Sequence, residues 1–371
     1  MSQAIPSSTG PALDEPHPRP APGQDARRPT PVGSPSAAHA PPYDWSVVRS
    51  PRSGKVWRAV ASWTKVILGA VLAAAVLKAC LFEAYRIPSS SMADTLQVND
   101  YVFVSKLTYG ARILGVRLPG LRAVERNDVA VFNYPPERGP IARRTPYIKR
   151  VVGLPGDTVE LVAKGLRVNG EPVQPPAHGR QLWRVRTLPD GLPPLDTLRA
   201  LGVDGRIERT GRQSWVVDAG LRAAKALAEQ PGVTEVAAYL RDLGDGSAGF
   251  PLAARYSLDD YGPLVVPYAG QTLPVTIDTW PLVREVAERH EGRSVRRTPR
   301  GFEIDGVLST TYTFAHDYLF VLGDSRDDSA DSRAWGFVPM PHLIGRAARI
   351  YFSWDEDARA VRWDRVGQAV R

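Results

Sequence analysis

The segment that most constrains this chain is an apolar run near its N-terminus, at residues 59–85. Its densest part is VILGAVLAAAVL at residues 66–77, and Lys78 interrupts the run before apolar residues resume. A helix needs about 20 mostly apolar residues to span a bilayer, and lysines near its ends can extend toward the headgroups. We therefore predict a single transmembrane helix at residues 56–85. A cleaved signal peptide, with an apolar region of about 7–15 residues, and a soluble core helix are the alternatives.

The basic residues around this segment predict its orientation. Only Arg86 follows it closely, whereas four cations precede it: Arg49, Arg52, Lys55 and Arg58. The positive-inside rule then puts the N-terminus in the cytoplasm and everything after Tyr85 on the outer side of the membrane. Residues 1–55 are rich in Pro, Ala and Ser and lack apolar periodicity, so we predict a disordered cytoplasmic tail.

Charge and cysteine content exclude several classes of protein. The formal net charge is +8 over 371 residues, but no nucleic-acid-binding motif accompanies it, so we expect no nucleic acid partner. The single cysteine, Cys80, excludes an internal disulfide framework and a cysteine-based zinc site. Four aspartates cluster near the C-terminus: Asp324, Asp327, Asp328 and Asp331. They lack EF-hand spacing, and Arg326 and Arg333 are expected to pair with them, so we expect no metal and no cofactor.

From Ile87 onward, short segments rich in β-branched and aromatic residues are typical of strands. They are residues 100–104, 128–132, 147–152, 158–162, 166–168, 318–322 and 347–353. Residues 163–165 predict a hairpin turn between two of them. The pattern predicts a mainly β fold, with an all-β body at residues 86–174 and 311–356 and a charged C-terminal tail at residues 357–371.

Residues 175–310 differ in texture and predict an inserted subdomain of mixed α and β structure. One good helix is expected at residues 218–230, with Asp218 as its N-cap and Pro231 after its end. A second helix and two strand-and-turn pieces are also predicted: residues 282–290, 262–267 and 301–306. We find no chemical motif and no convincing internal repeat in this insertion.

A run of serines, PSSSM at residues 88–92, follows the apolar segment. By itself such a run is usually a loop or a helix cap. A serine nucleophile needs an adjacent base, and no G-x-S-x-G elbow is present. The histidines lie in the tail, in the insertion or beside the last polar segment, and are poor candidates for that base: His17, His39, His178, His290, His316 and His342.

Lys149 is the better candidate for a base. In a strand at residues 147–152, Lys149 lies on one face and Ile148 and Arg150 on the other. A free lysine has a pKa of about 10.4, which burial can lower by up to about 3–5 units. A neutral Lys149 would accept the proton of Ser91 Oγ, and Ser-Lys pairs are known variants of the serine-protease triad. A surface lysine on an edge strand is the alternative.

Three long motifs now stand in order along the chain: the serine run, KRVVGLPGD at residues 149–157 and GDSRDDSADSR at residues 323–333. Together they resemble the bacterial type I signal peptidases, membrane-bound serine proteases that remove signal peptides from exported proteins. RNDVAVF at residues 126–132 resembles the family's remaining strand motif. The matching positions imply that Ser91 is the catalytic serine and Lys149 the catalytic lysine.

The resemblance also implies roles for residues around this pair. The Ser89 hydroxyl would help the backbone N–H of Ser91 to form an oxyanion hole, in which one donor is typically worth about 10²–10³ in rate. Ser329 would hydrogen-bond Lys149 and orient it. Supporting positions in the third motif follow from the same match: Asp324, Asp331 and Arg333, the last two as a pair that braces the site. Three positions depart from the family pattern and concern loop rigidity: Ala84, Ser90 and Asp94.

The substrate implied is a signal-peptide-bearing preprotein, cleaved after small residues in an A-x-A-like pattern. Its extended chain would lie between the Ile87 segment and the strand of Lys149. Ile87 and Ile148 would line a shallow pocket for the small side chain, with Met92 beside them, although both isoleucines are equally compatible with an ordinary core. The implied location is the bacterial inner membrane.

Two other readings of the sequence stay open. A different Ser-Lys peptidase, such as a self-cleaving repressor, lacks the membrane segment and carries a DNA-binding module. A non-enzymatic, membrane-tethered β-domain that binds partners through its insertion would explain the anchor and the charge, but it leaves the three motifs without a cause.

Overall fold

A computed structural model describes residues 53–113, 116–189, 191–241, 249–251 and 256–371. The predicted disordered tail lies outside these residues, except that the first helix already begins at Ser53. The described residues contain five α-helices: α1 Ser53–Cys80, α2 Leu195–Ala200, α3 Leu221–Ala228, α4 Trp280–His290 and α5 Ser332–Trp335.

Strands dominate the rest of the described chain. In chain order they are β1 Phe82–Arg86, β2 Asp100–Ser105, β3 Arg112–Ile113, β4 Val116–Arg117, β5 Val129–Asn133, β6 Pro146–Gly153, β7 Thr158–Val162, β8 Gly165–Val168, β9 Glu171–Pro172, β10 Arg180–Thr187, β11 Ile207–Gly211, β12 Ser214–Gly220, β13 Val233–Ala238, β14 Tyr261–Val265, β15 Thr272–Pro274, β16 Val295–Thr298, β17 Gly301–Ile304, β18 Val307–Leu308, β19 Thr311–Thr313, β20 Tyr318–Leu322, β21 Val338–Pro339, β22 Leu343–Asp355 and β23 Ala360–Val361. The prediction of a mainly β fold after one apolar N-terminal helix is confirmed.

Helix α1 is long and apolar enough to cross a membrane, judged by length and composition. The stretch Trp57–Ala75 has 19 residues with a mean hydropathy of 1.4, and none of it is buried by the rest of the protein. A core helix of a soluble protein would bury at least one face. The predicted helix end at residue 85 is wrong, because Phe82–Arg86 pairs with β2 and its backbone hydrogen bonds run between strands.

One large antiparallel sheet holds the strand of Lys149. Its order is β1-β2-β22-β5-β6-β20-β21, with β23 paired to β22. Every residue of β5 and of β20, the two neighbours of β6, is buried. Strand β6 therefore runs through the middle of the sheet, and side chains on both of its faces are shielded from solvent.

A second sheet, β14-β7-β8-β9, packs on a core shared by distant segments. Val159 of β7, Tyr261 of β14, Val283 of α4 and Phe320 of β20 belong to one buried cluster. The predicted hairpin joins β7 to β8. Its turn residues Ala163 and Lys164 have φ values of 47° and 67°, as a two-residue type I′ turn requires.

The predicted insertion does not pack as one body. Strands β11-β12-β10-β13 form their own sheet, and together with α2 and α3 they enclose a separate apolar cluster. By contrast, β14 pairs with β7 and α4 packs into the core under that second sheet. The segment with a core of its own is thus shorter than residues 175–310.

The helices of the insertion also differ in detail from the prediction. Helix α3 begins at Leu221 rather than at residue 218, because Ser214–Gly220 pairs with β10 as a strand. Helix α4 begins at Trp280, two positions before the predicted start, with a proline in its first turn, where a missing N–H costs nothing. The short helix α2 was not predicted.

The C-terminal segment is not a free tail. Strand β23 pairs with β22, and the buried Arg365 forms an ion pair with Asp100. Val370 is 4% exposed and shares a core cluster with Ile87 and Met92. The predicted charged tail at residues 357–371 therefore completes the core that holds the serine loop, residues 88–92.

Candidate active site

Ser91 lies in a loop that buried apolar residues hold in place. Ile87 and Met92, on either side of the serines, are 2% and 0% exposed and belong to the same core cluster. The turn itself is closed by backbone hydrogen bonds from Ala93 to Ser90 and from Leu96 to Met92, at 2.8 and 2.7 Å. The Ser91 side chain is thereby fixed where the loop leaves the sheet, and it is only 7% exposed.

Lys149 reaches Ser91 from the centre of the main sheet. In β6, Lys149 pairs with Ala130 of the neighbouring strand β5, and Lys149 is 3% exposed. Lys149 Nζ lies 2.6 Å from Ser91 Oγ and 3.0 Å from the carbonyl oxygen of Ile148. The structure thus brings together the two residues that the sequence singled out, over a separation of 58 positions.

The surroundings of Lys149 favour its neutral form. Burial lowers the pKa of Lys149 to about 8, although the carboxylates of Asp331, Asp324 and Asp328 act in the opposite direction. Removal of an ammonium from water penalises the charged state, which is why desolvation prevails here. Near pH 8 about half of the Lys149 amines are then free to accept a proton.

No histidine takes the place of this lysine. Within the described residues, the Ser91 hydroxyl contacts Lys149 Nζ and, at 3.3 Å, Ser89 Oγ. His342 instead hydrogen-bonds the carbonyl oxygen of Asn133 through Nδ1 at 3.0 Å. Burial lowers the pKa of His342 to about 4, so this ring is a neutral packing group at physiological pH.

Two donors lie beside the Ser91 hydroxyl. Ser89 is exposed, and its hydroxyl is within reach of the serine oxygen. Among the described residues, the backbone N–H of Ser91 donates to no protein acceptor. An unused N–H next to a second hydroxyl is what an oxyanion hole requires, and the roles of both groups stay predictions.

The third motif folds around a buried ion pair. Asp331 and Arg333 are both 0% exposed, and their closest N···O distance is 2.9 Å. Asp331 caps α5 and also accepts the backbone N–H of Gly323 at 3.0 Å. Burial opposes its ionisation, but the Arg333 guanidinium holds the pKa of Asp331 below its usual range. The predicted pairing thus fixes the turn that begins the third motif, at Gly323 and Asp324.

Asp324 joins the motifs of the lysine and the serine, through partners that sequence reasoning missed. Arg150 donates to both of its carboxylate oxygens, at 2.7 and 2.6 Å. Thr95, four positions after Ser91, donates to the same carboxylate at 2.6 Å. Arg150 is 3% exposed, on the face of β6 opposite Lys149. The only signal for this bidentate pair was an arginine directly after the candidate lysine.

One predicted contact, the hydrogen bond between Ser329 and Lys149, is absent among the described residues. Lys149 Nζ bonds Ser91 and Ile148, whereas the buried Ser329 hydroxyl makes no hydrogen bond of normal geometry. The hydroxyl packs against Gly323, and a Cβ atom at that position would overlap with it. Its polar effect is on Asp331, whose pKa it helps to lower.

Arg326 was expected to pair with the aspartate cluster, and this is wrong for the described residues. Asp324 and Asp331 already hold Arg150 and Arg333. Asp327 holds Lys164 and Arg241, and Asp328 accepts the hydroxyl of Ser90. No carboxylate of the cluster is left for Arg326.

The inserted sheet reaches the site through Arg180, another residue that the sequence did not indicate. Its backbone N–H donates to the backbone carbonyl oxygen of Asp324 at 2.9 Å, and its own carbonyl oxygen accepts the backbone N–H of Arg326 at 2.9 Å. Its guanidinium lies 3.1 Å from carboxylates of three aspartates: Asp94, Asp204 and Asp218. Asp94, a departure from the family pattern, is thus a partner of the insertion.

The edges of two strands leave room for an extended peptide. Strand β1 is the terminal strand of the sheet, and β20 pairs with β6 only from Arg150 onward. Residues 146–149 are therefore paired by β5 alone. Ile148 is half-buried and borders this gap. Ile87 and Met92 are 2% and 0% exposed and lie in the core, so contrary to the prediction neither offers a surface to a substrate.

Comparison with known proteins agrees with this geometry. The family model described as Signal peptidase, peptidase S26 matches residues 60–194 and 267–354, more than half of the chain. The unmatched stretch between them contains most of the inserted sheet, with α2 and α3.

Two curated relatives and one solved structure are similar to this chain. The signal peptidase I of Pseudomonas aeruginosa is 26% identical over 295 residues, which is 76% of this chain and 68% of that protein. That of Rickettsia typhi is 25% identical over 313 residues, 80% of this chain and 82% of that protein. A crystal structure of a signal peptidase I from Enterococcus faecalis covers 61% of this chain and 98% of that chain, with 17% identity and a TM-score of 0.24. With the family model matching over half of its length, the chain belongs to the Signal peptidase, peptidase S26 family, as an enzyme of the bacterial type I signal peptidases.

Proposed function

We propose that this chain is a membrane-bound serine endopeptidase that removes N-terminal signal peptides from exported preproteins after small residues. Ser91 is the nucleophile and Lys149 is the general base. The observation that carries the proposal is the hydrogen bond of 2.6 Å between Lys149 Nζ and Ser91 Oγ, at a buried position in the middle of the sheet.

The chemistry follows from the neutral amine. As Ser91 Oγ attacks the scissile carbonyl carbon, Lys149 Nζ takes the hydroxyl proton. The carbonyl oxygen becomes an anion, which the N–H of Ser91 and the hydroxyl of Ser89 stabilise. The Lys149 ammonium then gives its proton to the leaving amine, and the C–N bond breaks. Water, deprotonated by Lys149, hydrolyses the resulting ester and frees Ser91.

The ion pairs around the dyad support this role for Lys149. A free carboxylate beside a buried amine would stabilise the ammonium and raise its pKa. Here the carboxylates of Asp324 and Asp331 are already engaged by the guanidinium groups of Arg150 and Arg333. Their attraction for a proton on Lys149 is offset, so burial prevails and the pKa of Lys149 falls to about 8.

The preprotein is expected to bind as an added strand. Its backbone would bond the open edge of residues 146–149 on one side and the Ile87 segment, which follows β1, on the other, which is a common mode of peptide recognition. The half-buried Ile148 leaves a shallow apolar depression beside Ser91. Such a depression accepts small side chains, in line with the A-x-A-like pattern of cleavage sites.

Helix α1 is the proposed anchor in the bacterial inner membrane. The stretch Trp57–Ala75 has no protein core around it, and lipid would satisfy its apolar surface. Loop cations place the N-terminus in the cytoplasm and the catalytic body outside. The apolar segment of a preprotein occupies the same bilayer, so enzyme and substrate meet in two dimensions.

The test uses the purified full chain in a non-ionic detergent, incubated with a secreted precursor. Mass spectrometry of the products is expected to show one cut, after a small residue at the end of the signal peptide. Ser91→Ala, with an unchanged melting temperature, serves as the control and should leave the precursor intact. Cleavage by that variant at the same position would refute Ser91 as the nucleophile.

A further inference from the structure

Arg326 is a buried cation that the proposed mechanism does not use. Its side chain is 8% exposed, and it lies two positions after Asp324. Within the described residues, its guanidinium donates no hydrogen bond and forms no ion pair, although five N–H donors are available. Burial and the nearby charge of Arg333 lower the pKa of Arg326 to about 10, so it is still charged at neutral pH.

A buried guanidinium without a partner is rare, because removing a charge from water is costly unless an anion compensates. Its nearest carboxylates are not available, since Asp324 and Asp331 hold Arg150 and Arg333. The guanidinium is therefore open to an anion only from the remaining side of Arg326.

That side is a cavity of about 280 Å³ between the β7–β8 hairpin and the inserted sheet, and Arg326 is one of its lining residues. The rest of the wall is mostly apolar: Leu166, Val173, Trp183, Leu221 and Ala238. Ligand pockets typically begin at roughly 300 Å³ and combine apolar walls with a few polar groups. The cavity has the size and character of a site for a small molecule.

The other cations on this wall are already neutralised. Lys164 lies 2.7 Å from Asp327 and 3.8 Å from Asp259. Arg180 lies 3.1 Å from each of three carboxylates, those of Asp94, Asp204 and Asp218. Among the cations that line the cavity, Arg326 is thus the one without a carboxylate within ion-pair distance in the described residues. A single negative charge matches it, whereas a phosphate monoester, at about −1.5 to −2, would bring an excess.

We propose that this cavity binds a small carboxylate carried on an apolar body, with the carboxylate on Arg326 and the apolar part against Leu166, Val173 and Trp183. The planar guanidinium matches a carboxylate with two parallel N–H···O bonds. The apolar walls exclude water and strengthen that contact. Nothing in the proposed peptidase chemistry requires this site, so it stands or falls separately.

Two sources present this chemistry: a free fatty acid of short chain, and the C-terminus of a short apolar peptide. Isothermal titration of the full chain in a non-ionic detergent tests both, with titration into detergent alone as the blank. Octanoate represents the fatty acid, and octylammonium carries the same chain with the opposite charge. Acetyl-Ala-Leu-Ala with a free carboxylate, and the same peptide as its amide, represent the peptide.

We expect saturable one-to-one binding of octanoate, of the peptide acid, or of both, and none of octylammonium or the amide. Arg326→Met should weaken binding about tenfold or more, the usual effect of losing a charged hydrogen bond. The matched control is Arg167→Met, on the exposed face of the same hairpin, which should bind like wild type.

Ala238→Trp provides a second variant that fills the cavity without touching the charge, and it should abolish binding. Because the Arg326 side chain has no partner to lose among the described residues, Arg326→Met should melt no lower than wild type. Binding of octanoate alone would identify the fatty acid, and binding of the peptide acid but not the amide would identify a peptide terminus. If neither carboxylate binds, or if Arg326→Met binds as tightly as wild type, the proposal is wrong.

Discussion

Lys149 shows how a single residue depends on its neighbours for its chemistry. The alternation of β6 predicted that Lys149 points away from Ile148 and Arg150, and motif matching paired it with Ser91. The local pattern did not indicate that both faces of the strand are buried, with Lys149 and Arg150 each 3% exposed. That burial depends on the position of β6 between two buried strands, the preceding β5 and β20 from a distant part of the chain.

Replacement of either member of the pair should stop catalysis. For Lys149→Met, loss of the general base should lower the cleavage rate by about 10²–10⁴-fold or more, and Ser91→Ala should be at least as severe. Lys149→Arg should be inactive too, since arginine does not lose its proton in proteins. The rate of preprotein cleavage, measured by gel or mass spectrometry on variants that melt normally, checks this. Activity of Lys149→Arg near the wild-type rate would rule out a neutral base.

The stability of the protein should also carry the signature of this amine. The pKa of Lys149 is about 8 in the folded chain, against about 10.4 when unfolded. Between these values the unfolded chain holds more protons, so this group makes the folded state more stable as pH rises. Below about pH 8 the folded state carries the full penalty for burying the charged amine, roughly 3 kcal/mol. Above about pH 10.4 the amine is neutral in both states and the penalty disappears.

Lys149→Met has no such group to titrate. The variant should therefore gain on wild type at pH 7 and lose that advantage, by up to roughly 3 kcal/mol, as pH approaches 10.5. Denaturant unfolding of both proteins at several pH values provides the comparison. A difference between them that does not change with pH would mean that Lys149 titrates normally.

Some contacts at this scale were beyond the reach of the sequence. The pair of Asp331 and Arg333 is only two positions apart and is part of a known motif, so it could be anticipated. The partner of Asp324 is 174 positions away, and the position of Arg150 directly after the candidate lysine did not indicate which carboxylate it would bind. Arg326 lacks an ion-pair partner among the described residues because Arg150 and Arg333 bind the carboxylates of Asp324 and Asp331. The sequence does not indicate which arginine binds which carboxylate.

At the scale of elements, the inserted sheet is tied to the catalytic loop by β10. Arg180, the first residue of β10, bonds Asp324 and Arg326 through its backbone and Asp94 and Asp218 through its side chain. An insertion with no catalytic motif of its own thus braces the loop that carries the third motif. Asp94 lies three positions after Ser91, so the brace also reaches the serine loop.

Arg180→Met is expected to weaken this brace. Removal of a mostly buried guanidinium with three carboxylate partners should cost about 1–3 kcal/mol and should lower the rate of preprotein cleavage. Arg184→Met is the matched control on the same strand, where the arginine is exposed and, in the part of the chain that the structure describes, pairs only with Glu235. It should change stability by less than about 0.5 kcal/mol. Equal melting temperatures for the two variants would show that the brace has no energetic weight.

Element boundaries were predicted where local signals decide them. Strands β7 and β20 match the predicted residues, because β-branched and aromatic runs end there in turn residues. Helix α3 starts late and α1 ends early, because β12 and β1 take the adjoining residues through pairing with other strands. Cross-strand partners are non-local, so an apolar run cannot reveal whether a helix or a strand will claim its end.

At the scale of the whole molecule, the chain combines an apolar helix with a body whose cores mix distant segments. The prediction of a separate subdomain at residues 175–310, inserted into the β body, did not anticipate that β14 and α4 belong to the core beneath β20. Nor did it anticipate that Val370 packs with Met92. Both arrangements bury apolar surface that a charged or mixed local composition conceals.

The proposed topology makes a direct prediction. In spheroplasts of cells that express the chain, external trypsin should digest the part after Tyr85 and leave the N-terminal segment protected. The reason is that the cations before the helix are expected to keep that end in the cytoplasm. Immunoblots with a tag at each end provide the measurement, with a cytoplasmic protein as the control for leakage. Protection of the C-terminal tag in intact spheroplasts would reverse the orientation.

The central claim is that a buried, neutral Lys149 removes the proton of Ser91, and the pH dependence of kcat/KM for preprotein cleavage tests it most directly. Because only the free amine is active, the rate should rise with pH through an apparent pKa near 8 and then level off. Addition of salt should move this midpoint little, since the group is shielded from solvent. A midpoint near 6.5, the usual value for histidine, or a rate independent of pH between 6 and 9, would contradict the claim.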